Sequence, residues 1–309
     1  MNRPFALTRV FQPLMEIALA PILVFQAWRT VRRTPRLAPA GGDEHGFVPG
    51  PDPGAGPAHR VVVIGESTAA GVGAALHAQA LPGFLAEALS ERLGRGVAWS
   101  VSGESGATAH RIATELLPRA QRPRTGGVPA GGAPPAGPPS EDVPGPPADL
   151  VVLTVGINDL IRRRTLRRWA DDVGALIAAL RDEYAHATLV VAGMPPVRRF
   201  PAIPQPLRHV LGARARAMDR IMRDAARAHD AVHVPMDEAR ARDRGLFAGD
   251  GFHPSPAGYR AWAEDLARAA VPARAPASPY PAPDPAPDPA PEPGESAPPA
   301  DIVPPRTVN

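Results

Sequence analysis

Cysteine is absent from this 309-residue chain, and so is lysine: all 34 basic residues are arginine. Without cysteine there is no disulfide, no thiol nucleophile and no thiolate metal site, and bridges give no clue to redox compartment. Without lysine there is no P-loop lysine, no Schiff-base amine and no Ser-Lys dyad. Aromatic residues make up only 5% of the chain, and a formal net charge of +3 gives no reason to expect a nucleic-acid partner. Long apolar runs are missing too. The cleanest, Ile17 to Phe25, falls well short of the roughly 20 residues that span a bilayer.

Proline and glycine are plentiful, at 42 and 29 residues, and they concentrate in stretches that have little to bury. They divide the chain into an apolar amino-terminal segment (1–36), a flexible linker (37–58), a domain of about 200 packed residues (59–272) and a proline-rich disordered tail (273–309). Within the domain a Pro/Gly-rich insertion at 118–147 is predicted to be disordered, and the tail repeats PAPDPAPDPAPEP. In the amino-terminal segment Arg9, Gln12, Glu16, Gln26 and Thr30 fall on one face at helical spacing, and Arg29, Arg32, Arg33 and Arg36 follow. This pattern predicts a helix lying in a membrane interface. The basic flank predicts a cytoplasmic location, with contact at the membrane periphery. A helix packed on the domain and a cleaved export signal are the other readings, although Pro21 disfavours cleavage near Ala18 or Ala20.

Within the domain, apolar β-branched runs alternate with helical spacing. Strands are predicted at Arg60–Gly65, Val97–Val101, Leu150–Val155, Thr188–Ala192 and Ala231–Val234. Small residues after Gly65 predict a helix starting close to that strand's end. Further helices are expected at Leu81–Leu93, Thr108–Leu117, Leu166–Tyr184 and Leu207–Ala228, with a last one capped by Ser255. Such alternation implies a parallel sheet covered on both faces. Four scattered positions, Ser67, Gly106, Asn158 and His253, then share the carboxyl edge of that sheet, where ligands bind in open α/β folds. Asp250 precedes His253 by three residues, close enough to hold one imidazole nitrogen and present the other towards Ser67.

Each residue alone has a plainer reading. Gly-Glu-Ser occurs three times, at residues 65, 103 and 294, so those letters mean little without context. Ser67 could cap a helix, Asn158 could form a turn, and Asp250 and His253 could share a local hydrogen bond. His229 and His233 straddle a helix end and a strand, which reads as structure and not as a metal pair. Gly71-Val72-Gly73 lacks the third glycine and the distal acid of a dinucleotide turn. Only the four positions together, in their order along the chain, point to chemistry.

Those blocks, Gly65-Glu66-Ser67, Ser105-Gly106-Ala107-Thr108, Gly156-Ile157-Asn158-Asp159 and Asp250-Gly251-Phe252-His253, resemble the SGNH-hydrolase, or GDSL-type esterase and lipase, superfamily from Arg60 to about Ala270. The resemblance implies a three-layer αβα domain with a flavodoxin-like, five-stranded parallel sheet. It implies Ser67 as nucleophile, His253 as base and Asp250 orienting it. The oxyanion hole would come from the backbone amides of Ser67 and Gly106 and the side-chain amide of Asn158. No metal and no cofactor are implied. Two departures stand out. Glu66 replaces the family's aspartate, and block two lacks the asparagine often found upstream of its glycine, which leaves Gly103 as a rival to Gly106.

The expected activity is a serine carboxylic-ester hydrolase working through an acyl-enzyme. Lipid-like or short-acyl esters, including lysophospholipids or thioesters, are the expected substrates. Sugar O-acetyl esters are the alternative, and a binding module that keeps the fold without catalysis is the reading from a different class.

Overall fold

In the computed structural model residues 5–52, 54, 56–120 and 148–271 are described. Most of the predicted insertion and the predicted tail lie outside them.

The apolar β-branched runs form the sheet. After α1 (Phe5–Arg33), the strands are β1 (His45–Val48), β2 (His59–Gly65), β3 (Val97–Gly103), β4 (Leu150–Thr154), β5 (Thr188–Ala192) and β6 (Val232–Val234), in the spatial order β1-β3-β2-β4-β5-β6. The last five are mutually parallel, as expected. The sheet nevertheless has six strands and is mixed, because β1 adds antiparallel to β3 from within the stretch read as a flexible linker. The glycines there serve close packing: a Cβ on Gly46 would lie 2.5 Å from the Trp99 ring, and one on Gly50 would lie 2.4 Å from the Arg95 backbone. The same stretch is tied down further by hydrogen bonds from the Ala40 amide to the Ala70 carbonyl and from the Gly41 amide to the Ala75 carbonyl.

Side chains alternate across the sheet, and each face has its own core. On one face Ile64, Val151, Leu153, Leu189 and Val191 meet α6 (Leu166–Glu183) and α7 (Leu207–Ala228) through Trp169, Leu176, Met218 and Met222. On the other, Val61, Val63, Val152 and Val190 meet α2 (Leu81–Leu93) and α8 (Pro256–Ala270) through Leu85, Leu89, Tyr259 and Trp262. This is the three-layer αβα arrangement. Between these helices, α3 (Ala109–Arg111) passes through a π-helical turn (Ile112–Leu116) into α4 (Leu117–Ala120), and the short α5 (Ile157–Ile161) follows β4.

Local signals set most helix ends. Thr165 caps α6, accepting from the Arg168 amide, and Ser255 caps α8, accepting from the Gly258 amide, with Pro256 in the first turn. One expectation fails: no helix begins after Gly65. Residues 66–76 form a string of turns instead, and the next long helix starts at Leu81. Positive backbone angles at Gly71 and Gly73 break helical continuation. Among the described residues, no helix is long and apolar enough to cross a membrane.

Candidate active site

The chain leaves β2 for β3 on one side of it, then crosses back to β4 on the other. That reversal opens a crevice at the carboxyl end of β2, and Ser67 stands there. Gly65 lets the turn begin flush against β4: a Cβ at this position would lie 2.2 Å from the Thr154 carbonyl oxygen. The Glu66 amide then donates to that carbonyl at 3.0 Å, and the Ser67 carbonyl accepts from Val72 at 3.0 Å. From the opposite layer, the Tyr259 hydroxyl donates to the Val72 carbonyl at 2.7 Å, pinning the turn to α8.

His253 reaches the same point from the loop that precedes α8. Its Nε2 lies 3.0 Å from Ser67 Oγ, and its Nδ1 lies 2.6 Å from Asp250 Oδ2. The other carboxylate oxygen, Asp250 Oδ1, accepts from the amides of Phe252 at 2.9 Å and His253 at 3.0 Å. Burial works to raise the Asp250 pKa, but the His253 ring and these two amides outweigh it and hold the carboxyl below its usual range. The aspartate is thus a fixed, ionised acceptor for one imidazole nitrogen. The other nitrogen faces the serine hydroxyl.

Two further loops close the crevice. In the β3 exit turn the Glu104 amide donates to the Gly65 carbonyl at 3.1 Å, and Gly106 adopts φ +86°, a conformation that favours glycine. Gly103 serves packing instead. As the last residue of β3 it lies against the Ala69–Ala70 backbone, where a Cβ would come within 2.3 Å of the Ala70 nitrogen. From the β4 exit, Asn158 Nδ2 donates to Glu66 Oε2 at 2.7 Å and to the Ala107 carbonyl at 3.0 Å. Both amide hydrogens of Asn158 are therefore engaged within the protein.

The partners of Glu66 are not visible in the sequence. Its carboxyl group is buried, and its two oxygens accept three N–H groups: Ile157 N at 3.2 Å, Asn158 N at 3.2 Å and Asn158 Nδ2 at 2.7 Å. It stitches the residue next to Ser67 to the loop that carries Asn158. Burial is the dominant influence on it and pushes its pKa up to about 8, against the pull of those donors. Asp159, also buried, anchors the neighbouring loop by accepting from the Ala109 amide at 3.1 Å, and burial raises it to about 6. The signals were an acid flanked by Gly65 and Ser67 at the end of an apolar run, and a second acid following Asn158.

Next to Ser67 and His253 opens a pocket of about 920 Å³, including its solvent-filled mouth. Val155, Ile157, Phe200, Phe247 and Phe252 contribute apolar wall. Phe200 stands edge-on to Phe252 and Phe247, with ring centres 4.9 and 5.7 Å away. At the far side Arg240 is paired with Asp265 at 3.3 Å. Elsewhere, His233 Nε2 lies 3.0 Å from Asp219 Oδ1, which also accepts from the Met194 amide at 2.8 Å, so this pair braces the ends of β5 and β6.

The model of the GDSL-like lipase/acylhydrolase family matches residues 63–261, which takes in all four blocks. The chain is also similar to the GDSL-like esterase Rv1075c of Mycobacterium tuberculosis, with 30% identity over 218 residues, or 69% of this chain. The aligned part spans 61% of that relative's length. Among solved structures, TesA is 18% identical with a TM-score of 0.48, covering 67% of this chain and 96% of its own. LAE5, an alpha/beta hydrolase from the metagenome of Lake Arreo in Spain, is 17% identical with a TM-score of 0.47, covering 70% and 96%. On the family match and the sequence similarity, this chain belongs to the GDSL-like lipase/acylhydrolase family.

Proposed function

We propose that this protein is a serine hydrolase of carboxylic esters that works through an acyl-enzyme, with Ser67 as nucleophile, His253 as general base and Asp250 as its orienting partner. The observation that carries this reading is the continuous run from Ser67 Oγ through the His253 ring to Asp250, at 3.0 and 2.6 Å. A serine hydroxyl is a weak nucleophile at neutral pH, so His253 Nε2 removes its proton as Oγ bonds to the acyl carbon. Asp250 keeps the proton of Nδ1 in place and stabilises the imidazolium that forms. The ester C–O bond then breaks and the alcohol leaves with the proton from Nε2. Nε2 then takes a proton from a water molecule as the water oxygen bonds to the acyl carbon, the bond from that carbon to Ser67 Oγ breaks, Oγ regains the proton from Nε2, and the acid is released.

The developing oxyanion is stabilised by the amides of Ser67 and Gly106 and by Asn158 Nδ2. The 2.7 Å bond to Glu66 fixes the plane of the Asn158 amide, while the longer 3.0 Å bond to the Ala107 carbonyl is the one the oxyanion takes over. The apolar wall favours an acyl group of hydrocarbon character over a sugar acetate, because an acetyl group would leave most of the phenylalanine surface uncovered.

A panel of p-nitrophenyl esters from acetate to dodecanoate tests this. Medium chains are expected to give a higher kcat/KM than acetate, and His253→Ala is expected to lose on the order of 10³-fold or more at every chain length. A variant that keeps wild-type turnover would remove His253 from the mechanism.

A further inference from the structure

The amino-terminal helix α1 is held to its own domain by a polar clamp as well as by apolar contact. Gln26 Nε2 donates to the Gln205 carbonyl at 2.6 Å, and the Leu207 amide donates to Gln26 Oε1 at 3.1 Å, so a polar side chain clamps the helix to the start of α7. Leu23 and Ala27, one helical turn apart, pack beside that clamp. The side turned away from the domain carries large apolar side chains: Val24, Phe25, Trp28 and Val31 are 62%, 56%, 52% and 64% exposed. The Phe25 and Trp28 rings lie 5.9 Å apart, and the Arg32 guanidinium sits 4.8 Å from the Trp28 ring. Leaving four large apolar side chains outward on one helix is favourable where the outer surroundings are apolar.

Charge identifies those surroundings. Arg29, Arg32, Arg33 and Arg36 lie in or just after the last turns of α1, and no acidic residue occurs between Glu16 and Asp43. A helix with a tryptophan and phenylalanine face, bordered by arginines, matches the boundary between acyl chains and negative headgroups. We infer that the outward face of α1 docks on an anionic phospholipid bilayer, with Val24, Phe25, Trp28 and Val31 entering the acyl boundary and the arginines meeting headgroup phosphates.

Docking here also bears on the substrate, a consequence that rests on the esterase reading. A groove lined by Ile22, Phe25, Gln26 and Arg29 of α1 is completed by Ala202, Pro204 and Asp250. Those last residues belong to the same two loops that supply Phe200 and His253 to the ester pocket. A bilayer seated on α1 therefore lies beside the loops that frame the site, and the substrates best served are amphiphilic esters drawn from that bilayer.

The full chain tests this by co-sedimentation with phosphatidylcholine vesicles, with and without phosphatidylglycerol. Each arginine at an anionic surface contributes about fivefold to partition. The wild type is expected to bind the anionic vesicles at least about tenfold better than the neutral ones and to be released by salt. The double variant Trp28→Ser, Val31→Ser is expected to lose about tenfold or more of that binding while its turnover of a soluble short-chain ester stays within about twofold. Equal binding by the variant, or no binding by the wild type, overturns the inference. So does light scattering that shows a dimer broken by the double substitution, since a second copy would then own this face. Vesicle binding is read without turnover, so an inactive wild type that still binds would sink the esterase reading and leave the docking surface standing.

Discussion

Glu66→Gln gives a prediction whose size follows from the geometry. The substitution keeps the length and shape of the side chain but leaves one oxygen where the carboxyl group has two. In the wild type Oε1 takes the Ile157 amide, and Oε2 takes Asn158 N and Nδ2. Glutamine must turn its own amine towards one of these donors, leaving at least one buried N–H unsatisfied at a cost of about 1–3 kcal/mol. The second consequence depends on pH. Burial raises Glu66 from 4.5 to about 8, so between these values the folded protein holds a proton that the unfolded chain has released. Stability from this group is full below pH 4.5 and falls as pH rises towards 8, by up to about 1.4 kcal/mol per pH unit. From pH 5 to pH 8 the loss is on the order of 3 kcal/mol in the wild type. Glutamine does not titrate, so its profile lacks this slope, while the contribution of Asp159 remains in both proteins. Urea unfolding at pH 5, 6.5 and 8 is the assay. The wild type's advantage over Glu66→Gln is expected to be largest at pH 5 and to shrink or reverse by pH 8. Parallel profiles would refute the assignment of a raised, proton-holding Glu66.

Asn158→Ala removes the side-chain donor of the proposed oxyanion hole and should lower kcat by about 10²- to 10³-fold, with a loss of stability near that of one or two buried hydrogen bonds. A variant that keeps most of its turnover would take Asn158 out of that role. Gly65→Ala places a methyl group 2.2 Å from the Thr154 carbonyl oxygen, between two backbones that cannot part without breaking the β2–β4 pairing. The expected outcome is a loss of several kcal/mol or failure to fold, read by thermal unfolding of the soluble fraction; a Tm within a few degrees of wild type would contradict it.

Much of this architecture is legible in the chain itself. The boundaries of α2, β5 and α7 fall where the apolar spacing puts them, because each buries one stripe or one continuous run against the sheet. Ser67, Asp250 and His253 meet as their order implied, since a parallel sheet brings the loops after its strands to one edge. What was illegible depended on contacts across the chain. β1 is only four residues long and lies among Gly and Pro, so its local pattern reads as linker; its pairing is fixed by Trp99 and the β3 edge, which no window of sequence contains. The turns after Gly65 look helical by composition, but positive φ at Gly71 and Gly73 is decided by packing against Ala80 and Pro254. Glu66 stood out as a departure from the family pattern. Its three donors come from residues about ninety positions away, so its bridging role appears only when β2 and β4 are side by side. The phenylalanine wall is assembled in the same way, from positions 200, 247 and 252 on two separate loops.

The central claim is that Ser67 is activated by His253, and covalent labelling tests it without any guess about substrate. A fluorophosphonate probe is added to the wild type and to Ser67→Ala, and intact mass is recorded. A single phosphonyl adduct on the wild type, absent from the variant, is the expected result. No adduct on folded wild type, or one that survives the substitution, would contradict it.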